Sequence, residues 1–329
     1  MGKIEQAKSY TGQDLDNIFF RPMFSGPDAN ALGIRIMHNM PVPTTLQFWR
    51  RAGDILQKYT TGGWSGAAQT ERFQKTMDLK RVKAEVGYGA DEYYNLVFGL
   101  ITNSSEVNMG DLTGTELERA ETAIFKEAIA ESIRATMWVG DTARSGAGAQ
   151  YNTFDGFMKR IAADIAAGET AIKSSTYANL NDPDAAETLF RNLWENASPM
   201  LRDFKSQGNL AYFVTSDVYA RYEDALDSMA LDSAYLQKQT GREGLYFRGI
   251  PVIDLQISGY LAQCPDMPQS FAILTDRRNL ALAVNTSDFP GTEVKMWYNP
   301  DAMENRQRAV FMAGCDYLMP ELISYARRQ

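Results

Sequence analysis

Phe271-Ala-Ile-Leu-Thr-Asp-Arg-Arg-Asn-Leu-Ala-Leu-Ala-Val284 holds two short apolar runs, Phe271 to Leu274 and Leu280 to Val284, on either side of a polar turn, Thr275 to Asn279. Runs of this length bounded by a turn cluster predict strands rather than a helix. Towards the N-terminus, Leu210-Ala-Tyr-Phe-Val214 predicts another strand, passing into a helix capped by Ser216-Asp-Val and carrying Tyr219, Tyr222 and Leu226. Gly241 to Asp254 predicts two more short strands, with Gly249 suited to a tight turn and Pro251 tolerated if its strand lies at a sheet edge. Towards the C-terminus, Thr292 to Tyr298, Arg308 to Asp316 and Leu322 to Tyr325 predict a closing set of strands. The second half of the chain is expected to mix α and β.

Helices dominate ahead of it. Thr113-Gly-Thr-Glu116 and Thr115-Glu-Leu-Glu118 both fit a capping box, in which hydroxyl and carboxylate satisfy free amides at a helix start. From about 115, Leu117, Ala120, Ile124 and Ala128 form one ridge and Phe125, Ile129, Ile133 and Met137 the next, until Gly140 stops the helix. A second helix is expected from Asp182-Pro183, with Asp182 as N-cap, burying Ala186, Leu189, Leu193, Ala197 and Leu201. Pro199 should kink or restart it and Gly208 should end it. Asp91 to Ile101 reads as a short apolar helix, with a strand as the alternative.

The opening residues are different in kind. Pro22, Pro27, Pro41 and Pro43 interrupt any long element, so the stretch reads as an extended arm that must bury Phe19, Phe20, Phe24 and Trp49 against another surface. Next, Thr60-Thr-Gly-Gly-Trp-Ser-Gly-Ala-Ala-Gln69 forms a Gly-rich centre between polar flanks. In the descending flank Val82, Ala84, Val86 and Tyr88 alternate with polar residues, which predicts a two-stranded ribbon with this flank as one limb. Such a ribbon is marginal alone in water and needs a covering surface.

Composition narrows the function. A net charge of −8 argues against a broad electropositive nucleic-acid face. The N-terminus has no signal-peptide pattern, and no stretch reaches the roughly 18 apolar residues of a membrane span. Cys264 and Cys315 are too few for a disulfide framework or a Cys-rich zinc site and read as packing residues.

Chemistry-bearing patterns are sparse. His38 is the only histidine and lies in the Pro-rich arm, a poor setting for a general base. Gly140-Asp-Thr-Ala-Arg-Ser-Gly-Ala-Gly148 resembles a phosphate loop only superficially: no Lys-Ser or Lys-Thr closes it, no strand precedes it, and it reads as a flexible link. Asp14-Leu-Asp16 and Asn181-Asp-Pro-Asp184 lack calcium-loop spacing and read as turns and a helix cap. Asp276-Arg-Arg278 is either a solvated charged turn or an interface patch, as are Arg50-Arg51, Lys80-Arg81 and Arg327-Arg328. Trp64, Trp194 and Trp297 fit a core or interface better than a cofactor box. No catalytic, cofactor-binding or metal-binding residue is expected.

Three strings occur in order: Tyr212-Phe-Val-Thr-Ser-Asp-Val-Tyr-Ala-Arg-Tyr222, Tyr246-Phe-Arg-Gly-Ile-Pro-Val-Ile253 and Ala272-Ile-Leu-Thr-Asp-Arg-Arg-Asn-Leu-Ala-Leu282. With the arm, ribbon and long helix before them, they resemble the major capsid proteins of tailed phages with the Hong Kong 97-type fold, over nearly the whole chain. The resemblance implies an α+β fold with an N-terminal arm at 1–48, an extended loop at 49–90 and a spine helix at 115–139. It also implies a peripheral domain at 91–205 and 290–329, and an apical domain at 206–289 inserted between its two parts.

Functionally it implies a structural protein, not an enzyme, that self-assembles through pentamers and hexamers into an icosahedral shell. The shell would enclose a double-stranded DNA genome, contacted weakly and without sequence specificity, in a virion capsid assembled in the host bacterial cytoplasm, with a portal and no membrane. Many relatives begin with a scaffolding extension; too few residues precede the ribbon here, so either a separate scaffolding protein exists or the chain is already mature, and Met1 favours the former. Some relatives cross-link through Lys and Asn, but nothing in the sequence activates Lys75, Lys80 or Lys83, and no cross-link is expected. An encapsulin, a bacterial compartment shell with enzyme cargo, is the nearest alternative; an α+β enzyme with a paired-carboxylate cleft is the second.

Overall fold

The computed structural model describes residues 8–10, 29–38, 44–51, 61, 70–89, 116–182, 184–228, 244–285, 294–302 and 304–329. Asp14, Asp16, the arm aromatics Phe19, Phe20 and Phe24, residues 62–69 of the ribbon centre, the apolar stretch 91–101, and Thr113 and Thr115 lie outside these residues.

Five strands come first: β1 (Lys8–Tyr10), β2 (Arg35–His38), β3 (Thr44–Arg51), β4 (Thr70–Met77) and β5 (Lys80–Gly89). Then follow α1 (Glu116–Val139), α2 (Phe157–Ala166), β6 (Lys173–Tyr177), α3 (Ala185–Asn196) and α4 (Pro199–Asp203). After these come β7 (Leu210–Val214), α5 (Ser216–Ser228), β8 (Leu245–Phe247), β9 (Ile250–Asp254) and α6 (Ser258–Ala262). The chain closes with β10 (Phe271–Asp276), β11 (Leu280–Asn285), β12 (Val294–Asn299), β13 (Glu304–Tyr317) and β14 (Ile323–Arg328).

Among the described residues the strands make three sheets. One runs β6-β14-β10-β7-β9-β8; another runs β1-β12-β13-β11-β2, with β5 on the free side of β13; β3 and β4 pair only with each other. The first is sandwiched, which explains why Leu210-Ala-Tyr-Phe-Val214 is apolar throughout: all five residues are buried, and strands covered on both faces have no need to alternate. Ala211 and Phe213 join a core beneath α1 and α2 that includes Trp138 and Phe157. Tyr212 and Val214 join the opposite core, under α3, α4 and α5, with Phe190 and Tyr222. Phe190 meets Tyr212 and Tyr222 edge-on at 5.0 and 4.8 Å between ring centroids, a favoured aromatic geometry.

α1 presents Phe125, Ile129, Ile133 and Met137 to the core as the periodicity predicts, but Ala128 of the other expected ridge is exposed; Gly140 follows the last residue of the helix. The second helix starts later than expected. Its N-cap position is Asp184, and the side chain makes no capping bond there. Ala186, Leu189, Leu193, Ala197 and Leu201 are buried as predicted, and Pro199 restarts the helix as α4 behind a Ser198 hydroxyl that accepts from Leu201 N–H. In α5, Ser216 is the first helical residue, and its hydroxyl donates to Asp254 Oδ1 at 2.8 Å instead of capping.

Three readings need correction. The alternating limb Arg81 to Tyr88 is not half of the ribbon: β5 pairs with β13 from Lys80↔Ala313 to Gly89↔Glu304, while the ribbon is β3 against β4, from Thr44↔Met77 to Arg51↔Thr70. Alternation marks a half-covered strand without naming its partner, and β13 lies far away in sequence. Next, Pro251 is not on an edge strand. It lies opposite Tyr246 of β8, and β9 pairs with β7 only from Val252 onward, so its missing N–H costs no bond to β7.

Finally, Gly140 to Gly148 is a packed corner, not a flexible link. A Cβ on Gly140 would lie 2.3 Å from Phe154 O and 2.5 Å from Thr136 O, and Gly156 N–H donates to Gly140 O at 2.9 Å. The arm is partly integral: β1 pairs with β12, and β2 runs parallel to β11 in the second sheet.

Candidate assembly surfaces and the ribbon root

The turn at Thr275–Asn279 is where the two large sheets meet. β10 lies in one sheet and β11 in the other, so the chain crosses between layers here instead of forming a hairpin. Charge holds the crossing in shape. Asp276 is buried and accepts from Arg278 N–H at 2.8 Å and from Arg278 Nη2 at 2.7 Å, while Arg278 Nη2 also donates to Gln207 Oε1 at 2.7 Å. Asn279 Nδ2 donates to Met319 O and its Oδ1 accepts from Met319 N–H, at 3.0 and 2.7 Å. The Asp-Arg-Arg string, expected as a solvated turn or an interface patch, is thus braced internally through Asp276 and Arg278.

The corner after α1 is built in the same way. Arg144 is buried; its Nη1 donates to Val139 O at 2.7 Å and its Nη2 to Asp266 Oδ2 at 3.0 Å. A cation is thereby set at the carbonyl end of α1, where the helix dipole favours it. Asp141 accepts from Lys159 Nζ at 3.0 Å; burial opposes its charge, but Lys159 and the Ala143 N–H prevail and lower its pKa.

Cys264 lies 3.3 Å from Arg144 Nη1, yet burial raises its thiol pKa, and burial raises that of Cys315 further still. Reactive cysteines need the opposite shift. Both thiols should therefore resist Ellman's reagent at mildly alkaline pH in the native protein and react on denaturation; rapid native labelling of either would contradict this packing.

Two surfaces face outward. Between β5 and α1 runs a groove of about 310 Å³ lined by Val82, Ala84, Val86, Phe125, Ile129 and Phe311, with Val86 43% exposed at its mouth. At the other end, the edge strand β8 exposes Tyr246 to 59%.

The ribbon root is the third notable place. Met77 and Leu79 are buried against Ala281, Ala283 and Leu318. Asp78 O lies so near Gly314 that a Cβ there would come within 2.6 Å of it. One step up β4, Lys75 Nζ sits 2.9 Å from Asp316 Oδ1 and 3.3 Å from the centre of the Tyr317 ring. The Tyr317 hydroxyl donates to Asp164 of α2, and Tyr317 N–H donates to Asp316 Oδ1 at 2.8 Å. Sequence reading had placed Lys75 in the ribbon but had no means of finding its partner.

Burial raises the Asp316 carboxyl above its ordinary 3.8, and Lys75 and Arg160 offset this only in part. A carboxyl raised by folding contributes stability that is complete below its unfolded pKa and is lost as pH rises through the folded one. Asp316→Asn should therefore lack part of the relative stabilisation that the parent gains as pH falls towards about 4. Melting curves across that range check this.

His38 ends β2 and is exposed. Among the described residues no three His, Cys, Asp or Glu side chains converge as metal ligands, and no helix is long and apolar enough to cross a membrane.

No protein-family profile matches this chain, and no curated protein is similar to it in sequence. Solved structures are similar in fold. A chain from the procapsid of satellite phage P4, a particle that includes the size-determination (Sid) protein, superposes with a TM-score of 0.61 at 12% identity, covering 100% of this chain and 94% of that one. A capsid chain of the native GTA particle gives 0.52 at 13% identity, covering 90% and 88%. One from the capsid asymmetric unit of cyanophage A-1(L) gives 0.50 at 12%, covering 91% and 92%. Identity at this level speaks for architecture, and the architecture of this chain is the Hong Kong 97-type α+β capsid fold.

Proposed function

We propose that this chain is a major capsid protein of a tailed phage, a shell subunit that self-assembles through pentamers and hexamers into an icosahedral container for double-stranded DNA. One observation carries the reading: the likeness to the P4 procapsid chain runs over the full length of this chain and nearly all of the other. On this reading residues 206–289 are the apical unit around the capsomer axis, 91–205 and 290–329 the peripheral unit, and α1 the spine helix. The ribbon β3–β4 adds buried area on a neighbour, and closed symmetry lets one chain make similar contacts in both ring sizes. A separate scaffolding protein and a portal complete the partners, and the net charge of −8 suits an inner face that holds DNA loosely. Assembly would take place in the host cytoplasm, with the virion capsid as destination.

Electron microscopy of the full chain, expressed alone and with the scaffold candidate from its own gene neighbourhood, tests this. Closed shells of one diameter with the scaffold are expected. Monomers under both conditions would overturn the proposal.

A further inference from the structure

We propose that Lys75 is the positioning residue of the ribbon: clamped between the buried Asp316 carboxylate and the Tyr317 ring, its ammonium sets the direction in which β3 and β4 leave the subunit. The consequence for contacts with a second copy of this chain rests on the shell reading; the local clamp does not.

The ribbon belongs to neither large sheet, and β3 has β4 as its only strand partner among the described residues. Its direction must therefore be fixed at the root. The turn itself is held by buried Met77 and Leu79 and by the close approach of Asp78 O to Gly314. A ribbon held only there would pivot. Fixing its angle needs a second point along the strand, and Lys75, two residues up on the same face as Met77, stands roughly 7 Å away along β4. It is the described ribbon side chain that reaches the body of the protein by an ion pair.

The socket is prepared without the ribbon. Asp316 sits in β13, paired with Ala281 of β11, and its carboxylate is oriented by Tyr317 N–H. The ring of Tyr317 is 1% exposed and tied to α2 through Asp164. Energetics point the same way. Asp316 is 4% exposed, and a buried ion pair of this kind rarely contributes net stability compared with an apolar contact, while it does specify geometry.

The test uses unassembled full-length protein, spin-labelled at Arg51→Cys in β3 and Arg328→Cys in β14, with a second label pair confined to the two large sheets as control. Electron–electron resonance gives the distance distributions. The parent should show a narrow ribbon-to-body distribution. Asp316→Asn and Lys75→Met should each widen it by about twofold or more while the control pair stays narrow, and Lys75→Arg, which keeps the charge on a larger planar head, should widen it less than either.

Unchanged width in both variants would overturn the clamp. So would equal broadening of the control pair, which would make the contact merely structural. Because the measurement needs no shell, it stands or falls apart from the capsid reading. If the ribbon loosens while shells with scaffold still close at one diameter, the link from clamp to assembly is wrong.

Discussion

Ile129→Asp is expected to abolish folding of the subunit. Ile129 lies on the core face of α1, 5% exposed, in the cluster that joins this helix to the sheets through Phe125, Ile133, Trp138 and Phe311. A carboxylate there loses the packing of the isoleucine and is set against an apolar cluster. The cost is about 3–5 kcal/mol, a large share of the roughly 5–15 kcal/mol that holds a domain together. Aggregated protein and loss of the cooperative melt are the expected result. Ala128→Asp, one residue earlier on the exposed side of the same helix, is the control and should melt within a few degrees of the parent. A soluble, cooperatively melting Ile129→Asp protein would contradict the placement of α1.

Gly140→Ala should come close to this in effect although it adds a single methyl group. The corner brings two pieces of main chain together, and the added carbon would stand 2.3 Å from Phe154 O. Main chain cannot swing aside as the end of a side chain can. Either the Gly156 N–H to Gly140 O bond breaks or α1 unwinds at its end, at a cost of about 3 kcal/mol or more. Gly259→Ala is the contrast: that glycine lies within α6 and nothing approaches its absent side chain, so the change should be neutral or stabilising by up to about 1 kcal/mol. Denaturant titration of the three proteins side by side reads both differences.

Local signals carried the sequence reading far. The ridge on α1, the apolar run of β7 and the flanks of the Thr275–Asn279 turn each announce their element within a dozen residues, because periodicity and capping act over that distance. What stayed hidden is pairing. A five-residue polar turn looks the same whether the chain folds back or crosses to another sheet, so β10 and β11 could be found but not assigned to separate sheets. The partner of β5 is β13, and that of Lys75 is Asp316, each pair drawn from opposite ends of the chain. Gly140 was recognisable as a helix stop; the nearest carbonyl crowding it, Phe154 O, belongs to a later residue and left no mark nearby.

The strand order has a consequence for synthesis. β14 is an interior strand, between β6 and β10, while β1 and β2 are held by β12 and β11. Early segments therefore wait for late ones: the second sheet needs β13, up to Tyr317, and the first needs β14, up to Arg328. Both large sheets are thus completed late in synthesis, and translation itself sets the earliest moment at which the folded chain exists.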